Sequence, residues 1–159
     1  MTFESAATAD EQARIANVVA LLDTHFPEVK NSADLEILRL SDDAARVRLI
    51  PGPNDTRPGG TVSGPTMFTL ADVSVYALLL GIRSERALQA VTTSLTINFL
   101  SRPVPGGLVA DARLLKLGRR LAVADVLIRA ETDGKAIAQA SATYGMPPDN
   151  LPSTAAKVI

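Results

Sequence analysis

The sequence predicts one α+β domain in which an antiparallel sheet of about six strands wraps around a central apolar helix, with another helix ahead of the sheet. Three observations carry that prediction. Pro65 to Leu80 is apolar on nearly every side of a helix, so it must be covered on nearly every side. Two short extended runs precede it and four follow it, each bounded by turn residues. The chain has 159 residues, 47% of them hydrophobic and 21% charged, which suits a single domain with a real core.

The elements follow in order. Ala9 to Thr24 carries Ile15, Val18, Val19 and Leu22 at helical spacing, with Asp10 and Glu11 in the first turn where the helix dipole favours acids. It ends before Phe26-Pro27. Leu35 to Leu40 and Ala44 to Ile50 form a hairpin around Ser41-Asp42-Asp43. Pro51 to Ser63 holds three prolines and three glycines and reads as a loop. The central helix has Pro65 at its first position and Gly81 as its stop.

Four strands are then expected at Val91 to Leu100, Leu108 to Leu117, Leu121 to Glu131 and Lys135 to Tyr144. Their separators, at 103–107, 118–120 and 132–134, are short turns suited to antiparallel neighbours. The last two runs are rich in alanine, so helix propensity competes with the strand reading there. From Gly145 the tail has three prolines and no periodicity, and is expected to be mobile. Residues 1–34 are thus a helical extension, 35–144 the core and 145–159 the tail.

Composition excludes several functions. No cysteine is present, so disulfides, thiolate metal sites and cysteine nucleophiles are ruled out. The single histidine, His25, rules out multi-histidine metal sites, and its place at the end of the first helix reads as structural. No metal and no bound cofactor are expected. A pI near 5.8 argues against a nucleic-acid-binding face spread over the whole molecule, while leaving room for local basic patches. Met1-Thr2-Phe3-Glu4 does not open a signal peptide, and Pro65 to Leu80 is short for a span and carries Asp72. A cytoplasmic protein without a membrane partner is expected.

Asp72 is the informative residue. Apart from Tyr76 it is the only ionisable group between Arg57 and Arg83, and a carboxylate in an apolar helix is costly unless paired or used. Thr69, Asp72 and Tyr76 fall at i, i+3 and i+7, one narrow polar stripe. Two readings stand open: a carboxylate satisfied by Thr69, Tyr76 or a backbone amide at a subunit interface, or a base or nucleophile in a cleft. The helix start, Ser63-Gly64-Pro65, is the second feature. A glycine at a helix N-terminus lets a ligand approach amides that suit a developing negative charge, whereas Ser63 and Pro65 also fit an ordinary cap and first turn.

The stretch Ser63-Gly64-Pro65-Thr66-Met67-Phe68-Thr69-Leu70-Ala71-Asp72 resembles the His-Gly-Gly-x-x-x-x-Leu-x-Asp motif of hot-dog-fold acyl-CoA thioesterases of the phenylacetate-degradation type. Leu95 to Pro103 is similar to that family's strand after the helix, and Gly118-Arg119-Arg120 to its following hairpin. The resemblance covers roughly Leu35 to Tyr144. It implies that Asp72 is the catalytic carboxylate, acting on water or as nucleophile, and that the Gly64 amide polarises the thioester carbonyl. Ser63 stands where the family has histidine, and Pro65 where it has the second glycine.

Spacing adds a consequence. Gly64 and Asp72 are eight residues apart, about 12 Å along one helix, too far for both to act on one carbonyl from the same chain. A homodimer with two composite sites is therefore expected, with pairing into tetramers left open. In Val91 to Leu100, Val91, Leu95, Ile97 and Phe99 alternate with Thr92, Ser94, Thr96 and Asn98, so one face packs on the core. The other face, Asn98 included, meets a partner subunit, lines the acyl pocket or is solvated.

Met1 to Ile82 carries six basic and eleven acidic groups, net −5, and Arg83 to Lys135 nine basic and five acidic, net +4. Arg102, Lys116, Arg119 and Arg120 are candidates for the phosphates of coenzyme A, with solvated arginines as the plain alternative. Substrate contacts are thus expected from Ser63, Thr69, Tyr76, Asn98, Arg102, Arg119 and Arg120. The reading that results is hydrolysis of an acyl-CoA thioester to free acid and coenzyme A. A hydratase would use a catalytic histidine that this chain lacks in that place, and a non-catalytic acyl-CoA-binding or scaffold protein is the alternative of another class.

Overall fold

A computed structural model describes residues 5–150 and bears out the helix-in-sheet architecture. In chain order the elements are α1 (Ala9–His25), α2 (Pro27–Ser32), β1 (Asp34–Leu40), β2 (Ala44–Ile50), α3 (Gly64–Arg83), β3 (Val91–Phe99), β4 (Leu108–Leu117), β5 (Leu121–Ala130) and β6 (Ala136–Gly145). Short 3-10 turns lie at Pro53–Asp55 and Ser84–Ala87. Thr8 caps α1 by accepting the Glu11 N–H. The six-residue α2 is absent from the sequence reading; Pro27 at its first position is preset for a helical start.

The sheet is antiparallel throughout, in the order β1-β2-β4-β5-β6-β3. One expectation fails here. The 103–107 separator does not join neighbours: β3 pairs with β6 at the far edge, and the chain crosses back past β6 and β5 to reach β4. Bulges in the β1–β2, β3–β6, β4–β5 and β5–β6 ladders bend the strands, and α3 touches all six of them. Gly64–Ala87 is long and apolar enough to cross a bilayer by length and composition, but here the sheet covers it.

Twelve of the twenty residues of α3 are buried, among them Leu70, Leu78, Leu79 and Leu80. The strand positions facing them are small: Ala110, Ala112, Ala122, Ala124, Ala138, Ala140 and Ala142 are all buried. Alanine there leaves room for the sheet to close on a helix of bulky leucines. That packing, not helix propensity, decides the alanine-rich runs in favour of strands.

Gly81 does not stop α3. The helix runs on to Arg83 and ends at Ser84, whose φ is 51°. A Cβ at Gly81 would lie 2.8 Å from a methyl of the buried Leu40, so the glycine marks close approach of α3 to β1. At the chain's end Gly145 still belongs to β6, and the Met146 N–H donates to the Arg120 carbonyl at 2.8 Å. The rest of the expected mobile tail, residues 151–159, lies outside the described residues.

Candidate active site

Asp72 sits half-buried in the third turn of α3, facing the edge where β3 and β6 meet. Its Oδ1 accepts two hydroxyl donors, Thr92 of β3 at 2.6 Å and Tyr144 of β6 at 2.6 Å. The expected stripe dissolves. Thr69 donates back to the Pro65 carbonyl at 3.1 Å, and Tyr76 donates to the Leu88 carbonyl at 2.8 Å, so neither binds the carboxylate. Burial first, and then the charge of Asp72, push the Tyr144 phenol well above its ordinary range; burial alone raises that of Tyr76. Both remain hydrogen-bond donors at neutral pH.

A mostly apolar cleft of about 590 Å³ opens beside Asp72, lined by His25, Phe26, Tyr76, Leu88, Val91, Thr92 and Tyr144 among others. Its aromatic wall is built by packing: Tyr76 stacks on Tyr144 with centroids 6.4 Å apart, and Phe26 meets Tyr76 edge-on at 6.2 Å. His25, read from sequence as structural, thus lies on the rim of the carboxylate's cleft.

The start of α3 builds a second, separate cleft of about 700 Å³, mostly polar, lined by Arg57, Gly64, Met67, Phe99, Leu100 and Arg102 among others. Ser63 is occupied as the helix cap: its Oγ accepts the Thr66 N–H at 3.3 Å and its proton goes to Thr66 Oγ1 at 2.9 Å. Thr66 in turn donates to the buried Asp55, whose other oxygen accepts the Gly52 N–H. Among the described residues the Gly64 N–H has no partner, as first-turn amides do not in a helix. A Cβ on Gly64 would lie 3.3 Å from the Phe99 ring.

Comparison with known proteins fits this architecture. A candidate thioesterase from Silicibacter sp. TM1040 shares 40% identity and a TM-score of 0.75, over 84% of this chain and 92% of that one. The family model of the thioesterase superfamily matches residues 59–137, which include both Gly64 and Asp72. The chain belongs to the thioesterase superfamily, and its fold is the hot-dog fold. A candidate esterase of Saccharolobus solfataricus is 29% identical over 100 residues, 62% of this chain and 65% of that protein, so the chain spans less than two thirds of that relative. A thioesterase-class protein of Streptococcus pneumoniae, solved with coenzyme A, shares the fold with a TM-score of 0.70 at 23% identity, over 80% and 97% of the two chains.

This thioesterase-superfamily chain distributes the remaining expected residues unevenly. Asn98 donates to the Gln139 side chain at 3.0 Å on the outer face of the sheet, outside both clefts. Arg102 joins Arg57 beside Gly64, whereas Arg119 and Arg120 line other hollows with Arg83, Arg86 and Asp149 at the other end of α3. The single basic cluster expected of Arg102, Lys116, Arg119 and Arg120 therefore does not form within the protomer. The reason is geometric: Arg102 precedes β4 and the arginine pair follows it, so ten strand residues, about 33 Å, hold them apart.

Thr92 and Tyr144 are the residues sequence reasoning missed. Alternation groups Thr92 with Ser94, Thr96 and Asn98, but the register shift between Thr92 and Ser94 turns it to the inner face. Leu95, Ile97 and Phe99 follow it there, opposite Ala142, Ala140 and Ala138. Tyr144 is one of only two tyrosines and the largest fully buried side chain, a sign that its hydroxyl has a partner.

Proposed function

We propose that the protein hydrolyses acyl-CoA thioesters, with Asp72 as the base and the Gly64 amide as the donor to the developing oxyanion. The observation that carries this reading is the Asp72 carboxylate, held at Oδ1 by Thr92 and Tyr144 beside an apolar cleft. Asp72 Oδ2 takes a proton from water as the water oxygen bonds to the thioester carbon. The carbonyl electrons move onto oxygen, where the Gly64 N–H meets them. They return as the C–S bond breaks, and the departing thiolate of coenzyme A takes the proton back from Asp72. Direct attack by the carboxylate, through an anhydride that water opens, would require the same residue.

The two groups act in one site when they come from two protomers. In support, β3 is an exposed edge strand whose Val91 and Phe99 are 61% and 55% accessible. Val91 lines the Asp72 cleft and Phe99 the Gly64 cleft. Antiparallel pairing of β3 with its own copy about Leu95 would set Val91 opposite Phe99, joining the Asp72 cleft of one protomer to the Gly64 cleft of the other. The acyl group then enters the apolar half and the anionic carrier passes Arg57 and Arg102 in the polar half.

The test is release of free thiol from short, long and aromatic acyl-CoAs by the wild type and by Asp72→Asn and Asp72→Ala. Loss of about a thousandfold in kcat with fold and dimer intact supports the reading. A wild type that binds acyl-CoA without turning any over would overturn it in favour of a binding protein. That alternative has one observation behind it: Ser63, in the place of the family's histidine, already gives its only proton to Thr66.

A further inference from the structure

The buried phenol of Tyr144 has no part in the steps above, yet it touches Asp72 twice. Its oxygen is 2.6 Å from Asp72 Oδ1 and 2.9 Å from the Asp72 backbone carbonyl. A phenol has one proton, so it serves one of these at a time. The shorter distance falls in the range of charge-assisted O–H···O⁻ bonds, and the carboxylate is the stronger acceptor. The proton therefore goes to Oδ1, beside that of Thr92. Among the described residues Oδ2 has no partner, so the carboxylate is held in one rotation with one oxygen available.

Tyr144 is itself fixed. It is 2% exposed, its ring lies within 10° of parallel to that of Tyr76, and Tyr76 is tied through its own hydroxyl to the Leu88 carbonyl. Burial and the neighbouring charge keep its proton in place, so it stays a donor at the pH of the reaction. A donor locked on a strand sets the orientation of a partner more sharply than one on a loop.

We propose that Tyr144 is a positioning residue for Asp72, holding Oδ1 so that Oδ2 alone meets the reacting water. The inference rests on Asp72 being the base of the reaction. Its importance follows from the steepness of geometry in catalysis, where about 1 Å of misplacement costs about a hundredfold.

Tyr144→Phe keeps the stacked ring and removes the hydroxyl. Carbon-13 NMR titration of the Asp72 carboxyl in the full chain needs no turnover. An acceptor that loses a donor takes up a proton more readily, so the Asp72 midpoint is expected to rise by about one pH unit. His25 and Tyr76, the other titratable groups lining the cleft, are the same in both proteins. With an acyl-CoA substrate, kcat is expected to fall about tenfold or more at a KM within about twofold, and the acid limb of the kcat profile to move up with the NMR midpoint.

An unmoved midpoint overturns the proposal, and so does a lower kcat with an unmoved acid limb, which would mark a merely structural side chain. A wild type without turnover defeats the thioesterase reading alone, and the NMR midpoint then decides the Tyr144 contact by itself. Should Tyr144→Phe fail to fold, 3,5-difluorotyrosine at position 144 keeps the shape and donates more strongly; it should lower the Asp72 midpoint, and no displacement overturns the proposal.

Discussion

The two clefts along α3 differ in kind. The one at its start offers a backbone N–H and two guanidinium groups, Arg57 and Arg102, and the one beside Asp72 offers a carboxylate, aromatic rings and aliphatic walls. One brings a free amide and positive charge, the other a carboxylate in a mostly apolar surround. Cleaving a thioester takes both kinds, so neither cleft is a complete site for the proposed reaction. The difference also shows what each costs the fold. Gly64 presents a first-turn amide that any helix leaves unpaired, whereas Asp72 needs Thr92 and Tyr144 brought in from two strands.

The sharpest way to break the comparison is to remove the backbone donor alone. Gly64→Pro deletes the N–H, and Ser63, at φ −72° and ψ 153°, already has the conformation that a residue before proline requires. A fall in kcat of about a hundredfold is expected, against a severalfold loss in Gly64→Ala, which keeps the N–H but presses on Phe99. Equal losses in the two variants would assign the effect to crowding.

A gentler test mixes the two clefts. Asp72→Asn and Gly64→Pro are each expected to be nearly inactive, but in the proposed dimer a random mixture of their subunits would make half the dimers mixed, each with one intact composite site. Recovery to about a quarter of wild-type turnover is expected. If each protomer works alone, unfolding and refolding the mixture restores nothing.

Much of this was legible in the sequence, and the gaps have physical causes. β2 and β4 begin and end where turn residues and alternation place them, at Ala44 and Ile50 and at Leu108 and Leu117. Asp72 stood out because a charge in an apolar helix needs a reason. Its partners did not, because both depend on long-range pairing. Thr92 reaches it through a bulge that leaves no mark in the alternation, and Tyr144, 72 residues away, reaches it because β6 lies beside β3. The strand order was hidden for the same reason: a short loop after β3 looks like a hairpin whether or not the next strand is its neighbour.

Gly81 is the instructive misreading, and it supplies a control at the end of α3 remote from Gly64. Gly81→Ala forces a Cβ against Leu40, which is 1% exposed and has nowhere to move. Overpacking of about 1–3 kcal/mol, less about 1 kcal/mol of improved helix propensity, leaves a net destabilisation of about 1 kcal/mol. Urea denaturation should show a lower midpoint at an unchanged slope, with kcat untouched. A lower kcat would mean that strain at this end of α3 reaches Asp72.

The smallest effect concerns the wall of the Asp72 cleft. His25 and Phe26, at and just past the end of α1, stand on that wall, and α1 is fastened to β1 through Glu11. Its carboxylate receives Arg39 Nε at 2.8 Å, Arg39 Nη2 at 3.1 Å and the Leu40 N–H at 2.8 Å. The Arg39 hydrogen bond, against the pull of burial, holds the Glu11 carboxyl below its ordinary value. A folded-state value below the unfolded one means that this stabilisation is complete above about pH 4.3 and is lost as the pH falls through the lower, folded value. The wild type should therefore melt a little above Glu11→Gln at neutral pH, and the gap should close on acidification, with no comparable change on the alkaline side. Melting curves for the two proteins between about pH 7 and about pH 3 read this directly. Parallel curves would mean that Glu11 is no more acidic in the folded chain than in the unfolded one, and that α1 keeps its place against the Asp72 cleft without help from this ion pair, through apolar packing and its other ties, Arg14 to Asp42 and Asn17 to Ser84.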